Sequence, residues 1–528
     1  MDKLDVIVVG GGMAGLSSAA FLSLAGRSVA LLEKHDKVGG FASSFEHRGV
    51  SFDIGIEGVR ELAPDSFLPP FLRWWGVDLP MEERHEVMAV HTDRGSYRIR
   101  GNSAKDDMLA AFPASARGIH RFFDLNNKIV AEMTSGPAPK PPSEMGFIEK
   151  LAFGMGSLAR RPNLLRHGLR NCSRVIPELF HDGDLVRVVC SKTFEDMVYL
   201  GVAHRWEGFA SGRIMYPTGG MGALPDAVAA SVRARGGKVH LSTEVRAIRQ
   251  VASGYEVDCA DGRSFAAKKV IVSAPMPWAA FTLFRGDVRF DALRAAIRRR
   301  KAFPACFMSF VALDPAFDPG GANVLVDWAD GGRMPSLWAA RRAGRDLDAA
   351  TAPLACVVAG AGRSGTGPIA MTVAATLGWD YAGNWGTADA AASLSGSGWL
   401  ETPAGYRRSD AYRRVKEETE KVILERLEAR LGRGFRDAIR FISSSTPLSF
   451  ARYTNSPGGS YMGFSIGAGE YGRFLPQKSP LPGLFFSGQW VFPGFGIAGA
   501  AASGYYASKA LLADEGSDLD TSLRALEA

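Results

Sequence analysis

An apolar run, Val6-Ile7-Val8-Val9, breaks directly into Gly10-Gly11-Gly12-Met13-Ala14-Gly15 and continues Leu16-Ser17-Ser18-Ala19-Ala20-Phe21-Leu22. A second run, Ser28-Val29-Ala30-Leu31-Leu32, then delivers Glu33, eighteen residues past Gly15. Val6 to Val9 reads as a strand buried on both faces, as a parallel sheet requires, and the small and apolar residues after it recur at helical spacing. Gly10 permits the tight turn, Gly12 lets backbone approach a pyrophosphate, and Gly15 allows close helix-to-strand packing. The helix N-terminus offers free N–H groups and the positive end of its dipole to phosphate. The Glu33 carboxylate can accept both hydroxyls of an adenosine ribose and disfavours a 2′-phosphate, so FAD or NAD fits better than NADP. Strand, glycine turn, helix, second strand and terminal acid in this order predict a dinucleotide-binding βαβ unit.

The chain has 528 residues with 46% hydrophobic content, enough for a large core and more than one domain. Its net charge of +7 is spread along the chain and not concentrated in a tail, although Arg160-Arg161, Arg298-Arg299-Arg300-Lys301 and Arg341-Arg342 form short basic clusters. Solvated faces or anionic lipid headgroups suit such clusters, and without a supporting motif no nucleic-acid partner is expected. The five cysteines, Cys172, Cys190, Cys259, Cys306 and Cys356, are widely spaced and form no CxxC pair. That pattern predicts reduced thiols in a cytoplasmic compartment and no metal site. The first strand starts too close to Met1 for a signal peptide, and no apolar stretch of about 20 residues is uninterrupted. The expectation is a soluble protein or one attached to a single membrane face.

Further along comes Val38-Gly39-Gly40-Phe41-Ala42-Ser43-Ser44-Phe45, then Phe52-Asp53-Ile54-Gly55. A glycine doublet just after the ribose acid, followed by FDxG, resembles the FAD-dependent amine-oxidase superfamily. Tyr216-Pro217-Thr218-Gly219-Gly220-Met221-Gly222-Ala223-Leu224-Pro225, followed by a helix and a strand reaching Val245, resembles the YPxGGxGxL turn of the phytoene desaturases. The block Leu481 to Trp490, with Phe492-Pro493-Gly494-Phe495-Gly496-Ile497-Ala498-Gly499 entering a helix, is similar to the closing segment of the phytoene desaturase, carotenoid isomerase and retinol saturase group. So is Arg452 to Phe464 before it.

The resemblance implies non-covalent FAD, since Gly488-Gln489-Trp490 lacks the cysteine that anchors flavin in some monoamine oxidases. It adds Met13, Ala14, Lys34, Gly39, Gly40, Phe41, Ala42, Val245, Gly488, Gln489, Gly496, Ile497 and Ala498 to the cofactor residues Gly10, Gly12, Gly15 and Glu33. It also implies a hydrophobic substrate such as a carotenoid, desaturated, saturated or isomerised at its carbon–carbon bonds. Apolar walls are what such a substrate requires, and Trp490 and Phe495 are the lining candidates. Glu57, close to the FDxG turn, is the candidate acid or base. An amine oxidase and a non-enzymatic binder of prenylated partners, like the GDP-dissociation inhibitors, are the alternatives.

The expected fold is α/β: a discontinuous Rossmann-like FAD-binding domain (1–80, 214–276 and 478–515), an α+β substrate domain with a mixed sheet and helical cap (81–213 and 277–477), and a tail (516–528). Ile148 to Leu179 is amphipathic and basic, which suits packing on the cap core or, alternatively, a membrane surface. A second GxGxxG, Gly360 to Gly365, precedes the β-prone Ile369 to Ala374 and not a helix, so it reads as a loop between two strands of the substrate-domain sheet. NAD(P)H is therefore not expected as a tightly bound cofactor.

Overall fold

A computed structural model describes residues 3–54, 58–64, 66–134, 141, 144–191, 193–194, 196–329, 348–359, 367–379, 381–387 and 405–527. Two seven-stranded sheets organise them.

The first sheet is built from β1 (Leu4–Val9), β2 (Val29–Leu32), β3 (Lys238–His240), β4 (Val245–Val251), β5 (Gly254–Cys259), β6 (Ser264–Val272) and β7 (Leu484–Phe486). Five of them, in the order β7-β6-β1-β2-β3, run parallel, and β4 and β5 add an antiparallel extension to β6. β1 is central, and Val6 to Val9 are buried. Helices cover both faces of such a sheet, which is why its strands read as unbroken apolar runs. Three of the helices serving it are α1 (Met13–Leu24), α2 (Ala223–Ala234) and α3 (Gly496–Ala513). α1 is buried from Met13 to Ser23, and small residues make that possible. A Cβ on Gly504 of α3 would stand 2.4 Å from the Ala14 carbonyl oxygen, so the two helices touch backbone to backbone. Ser17 Oγ donates to the Ala501 carbonyl (2.7 Å) and Ser18 Oγ to that of Gly504 (3.3 Å), which satisfies buried hydroxyls across the contact.

The second sheet runs, strand by strand, Ile439–Ser445, Phe307–Leu313, Ile369–Ala375, Leu354–Ala359, Val324–Asp327, Val87–His91, Ser96–Arg100. All neighbours are antiparallel except Val324–Asp327 with Val87–His91, so the sheet is mixed. Phe307–Leu313 is buried at every position. The long helix Asp410–Leu431 covers one face, and its Arg426 and Arg430 pair with the buried Asp327 at 2.6 and 2.7 Å. Phe122, Phe123, Trp206 and Phe209 of the helices Ala116–Thr134 and Tyr199–Ala210 form a core that also takes in Val90, Ile99 and Val326 of this sheet.

The second GxGxxG itself lies outside the described residues, but its flanks decide its character. Leu354–Ala359 and Ile369–Ala375 are adjacent and antiparallel, with Ala359 opposite Ala370, whereas a dinucleotide turn needs a parallel crossover through a helix. No helix among the described residues is long and apolar enough to cross a membrane. The Ile148 to Leu179 segment departs from core packing in one respect. Leu164 is buried, yet the apolar side chains of the helix Phe147–Arg160 face outward.

Gly504→Val should cost about 2–3 kcal/mol, because its side chain would push α3 off α1. Urea unfolding would show a lowered midpoint, while Gly434→Ala, where a Cβ meets nothing within 4 Å, should leave it within error.

Candidate cofactor site

In a parallel sheet with helices on both faces, ligands collect beyond the carboxyl ends of the strands. At that edge stand Gly10 after β1, Glu33 after β2, Ser273 after β6 and Ser487-Gly488 after β7. Gly10 has φ +105° and donates its N–H to the Leu32 carbonyl (2.8 Å); a Cβ there would come within 2.9 Å of the Ala274 nitrogen. A Cβ on Gly15 would lie 1.9 Å from the Gly10 carbonyl oxygen, so the helix can leave the strand at this angle only with glycine. Gly12 differs: a Cβ on it would meet nothing within 4 Å, so its exposed side borders open space at the start of α1. No side chain caps that helix N-terminus.

Glu33 is buried, and its carboxylate accepts the Gly11 N–H at 2.6 Å and the His35 N–H at 2.9 Å. Two backbone donors thus fix its orientation at the strand end. Its own N–H goes to the His240 carbonyl and its carbonyl takes the Thr243 N–H, which brings Val245, two residues on, to the same corner. Lys34 bonds the Asn455 side chain (2.8 Å) and the Arg452 carbonyl (3.0 Å), so part of the Arg452 to Phe464 stretch closes beside Glu33. Burial pulls its ammonium down to about 8, against the opposing pull of Glu33 and Glu244.

The glycine doublet meets the first turn directly. Gly39 donates to the Gly11 carbonyl (2.8 Å), and Gly40 is close enough that a Cβ would sit 3.4 Å from the Gly12 Cα. Gly39, at φ +114°, also abuts Pro225 at the end of the Tyr216 to Pro225 turn, the third of the glycine motifs after the Gly10 to Gly15 turn and the doublet. Ala42 is buried, whereas Phe41 points to the second sheet, its ring 6.0 Å from Phe450.

One residue at this junction has a role the sequence reading did not assign. Asp53 accepts from Ser44 Oγ (2.6 Å), from the Met221 N–H (3.1 Å) and from the Tyr216 hydroxyl, while Ser44 Oγ accepts the Gly222 N–H (2.8 Å). It thereby ties the second motif to the third. Burial, then the Asp53 charge, pushes the Tyr216 phenol well above its ordinary range, and the Arg84 guanidinium lies 3.4 Å from its ring centroid. The acid inside FDxG was the available signal.

On the C-terminal side, the Gly488 N–H donates to Ser503 Oγ of α3 (3.0 Å). A Cβ on Gly463 would lie 2.4 Å from the Gln489 carbonyl oxygen, so these two loops interlock. Trp490 is buried edge-on against Phe464, ring centroids 4.9 Å apart, and Phe495 packs on the helical core. Gly496 is exposed with open space beside it, Ala498 is half-buried and Ile497 is buried beneath them. Three buried polar atoms around this edge, Ser273 Oγ, Ser487 Oγ and Trp490 Nε1, have no hydrogen-bond partner among the described residues. Unpaired polar atoms, two uncapped helix starts and a glycine cradle suit a polar, phosphate-bearing group. Glu57 lies outside the described residues. Among those residues no group of His, Cys, Asp or Glu is arranged to hold a metal, and burial pushes the Cys190 and Cys306 thiols up to about 12.

Residues 13–364 match the family of flavin-containing amine oxidoreductases. The chain belongs to that family. It is thus a flavin-dependent oxidoreductase. All-trans-retinol 13,14-reductase of Danio rerio is 22% identical over 92% of this chain and 82% of its own. The carotenoid 3,4-desaturase of Haloarcula japonica is 51% identical over 12% of each chain. Alignments to further retinol reductases and prolycopene isomerases span about half of those proteins or less. Among solved structures, cyclohexylamine oxidase of Brevibacterium oxydans shares the fold with a TM-score of 0.56 at 14% identity, over 100% of both chains.

Two predictions follow from these contacts. Asp53→Ala leaves three donors unsatisfied and should lower unfolding free energy by about 2–3 kcal/mol in urea titrations. Lys34 has a folded pKa near 8 against 10.5 unfolded, so its buried charge opposes folding below pH 8 and that penalty fades as pH rises to 10.5. Comparing wild type with Lys34→Met at pH 7.5 and 10, wild type should gain relative stability at the higher pH, by about 2 kcal/mol.

Proposed function

We propose that the chain binds FAD without a covalent link along the carboxyl edge of the first sheet and acts on carbon–carbon bonds of a long isoprenoid or polyene. In this reading the cofactor lies against Gly10, Gly12, Met13, Ala14, Gly15, Glu33, Lys34, Gly39 to Ala42, Val245, Gly488, Gln489 and Gly496 to Ala498. The observation that carries it is the open space beside Gly12 at the start of α1, backed by the oriented Glu33 carboxylate. Residues 1–80, 214–276 and 478–515 form the cofactor part, and 81–213 with 277–477 the substrate part.

When bound, FAD supplies a hydride acceptor or donor. The protein's share is to bind, orient and exclude water. The N-terminus of α1 would hold the pyrophosphate, Glu33 would hold the ribose, and the unpaired hydroxyls of Ser273 and Ser487 would supply further polar contacts. The apolar layer between the glycine-doublet segment and the second sheet, with Phe41, Phe45, Phe52, Phe310 and Phe450, supports an apolar substrate. The relatives' names, a retinol reductase and a carotenoid desaturase, support a conjugated hydrocarbon in saturation or desaturation. Among the described residues there is no second parallel βαβ turn for tightly bound NAD(P)H to occupy. Glu57, four residues beyond the anchored Asp53, is our acid–base candidate.

An absorbance spectrum of purified protein, with acid precipitation and mass spectrometry of extracted lipids, tests this reading. Flavin released into the supernatant, with an isoprenoid or polyene in the extract, is the expected result; flavin that stays with the precipitate rejects the non-covalent assignment. Glu33→Arg should remove at least about nine-tenths of bound flavin by setting a cation against the ribose. Unchanged flavin content in that variant rejects the ribose assignment.

A further inference from the structure

The helix Phe147–Arg160 stands apart from every other helix of its length. None of its residues is buried, and only Gly156 and Ser157 are even half-covered. Among the described residues nine large apolar side chains are exposed, and six of them are Phe147, Ile148, Leu151, Phe153, Met155 and Leu158. At about 100° per residue, Phe147, Ile148, Leu151, Met155 and Leu158 fall within one arc of roughly 100°, while Glu149, Lys150, Ser157 and Arg160 lie on the other side. The half-covered Gly156 and Ser157 belong to that second side, so the apolar arc points away from the body of the protein.

The helix is capped at its start and anchored to the rest of the protein beyond its end. The Gly146 N–H donates to Glu149 Oε2 (2.8 Å). Beyond the C-terminus, Glu132 of the Ala116–Thr134 helix accepts the N–H groups of Asn163 (3.2 Å) and Leu164 (2.7 Å). An apolar face of this size, fixed and turned to solvent, marks an interaction site. Its surroundings are basic: Arg160 and Lys150 on the helix, Arg161 folded over the Phe153 ring at 5.6 Å, and Arg121, Arg166 and Arg170 around His167. Burial first, then those arginines, holds the His167 imidazole below its ordinary range. The carboxylates near this end are Glu132, used in the anchor, and Glu178, paired with Arg170. At 14 residues the helix is about 21 Å long, too short to span a bilayer and suited to lying in its interface.

We propose that Phe147–Arg160 is a docking helix for an anionic membrane leaflet, its apolar arc entering the acyl boundary while Lys150, Arg160, Arg161 and Arg166 meet the headgroups. The assignment rests on this surface alone and is independent of the substrate reading.

Co-sedimentation of the purified flavoprotein tests it, using vesicles of phosphatidylcholine with roughly a third phosphatidylserine against pure phosphatidylcholine, at low and high salt. Wild type should pellet with the anionic vesicles and be partly released by salt. Leu151→Glu with Leu158→Glu should weaken that binding at least about tenfold. Arg160→Glu with Arg166→Glu should reduce it to the level seen on pure phosphatidylcholine and flatten the salt dependence. These side chains touch no core, so flavin absorbance and urea midpoints should match wild type and certify the fold. Failure of wild type to pellet overturns the proposal, as does unaltered binding by both variants. It is equally overturned if wild type is a dimer on gel filtration, the leucine variant is a monomer, and neither binds vesicles, since a second copy then covers the face.

Discussion

Everything at the carboxyl edge of the first sheet depends on how closely backbone can approach backbone around α1. Gly15 rides on the Gly10 carbonyl, and Gly504 on that of Ala14, at separations that exclude a Cβ. The first contact sets the angle at which the helix leaves the strand, and with it the direction of the helix start. The second brings the last long helix of the chain against the first. Because protein interiors are close-packed and yield little, both contacts fix position as well as contribute stability. The open space beside Gly12 is what remains when its neighbours have closed up around it.

That arrangement was largely legible in the sequence because its determinants are local. Gly10, Gly12, Gly15 and Glu33 sit within one strand–helix–strand unit, and periodicity alone gives the order of parts. The glycine doublet and Val245 became legible through resemblance, and both lie at the corner where Gly11 and Glu33 meet. Asp53 was not, since its three donors come from Ser44, Tyr216 and Met221, and nothing in the spacing of FDxG says that a turn 163 residues later will need an acceptor. The orientation of the helix Phe147–Arg160 was also beyond a pattern reading. An apolar stripe has the same sequence whether it faces a core or solvent, and only the placement of Gly156 and Ser157 against the body separates the two.

The two sheets divide the physical work. The first is parallel, and its strand ends present glycine, a carboxylate and serine hydroxyls. The second is mixed, its strand Phe307–Leu313 is buried along its whole length, and the cluster it forms with Phe45, Phe52 and Phe450 is built from apolar side chains. The hairpin Ser44–His47 and Val50–Asp53 belongs to both regions: Asp53 faces the polar turn while Phe45 and Phe52 face the second sheet. A polar strand-end edge and an apolar layer are thereby held one hairpin apart.

The position of β7 carries a consequence for how this molecule is made. β7 pairs with Val270 to Val272 of β6, yet Leu484 leaves the ribosome more than two hundred residues after them. Until then that part of the β6 edge, all three residues of which are buried in the finished protein, has no strand beside it, and α1 lacks the helix that covers it. Unpaired apolar edges template association with other chains. A chain shortened before Leu484 would keep the dinucleotide signature intact in sequence while exposing this edge, so solubility during synthesis rests on the last tenth of the polypeptide.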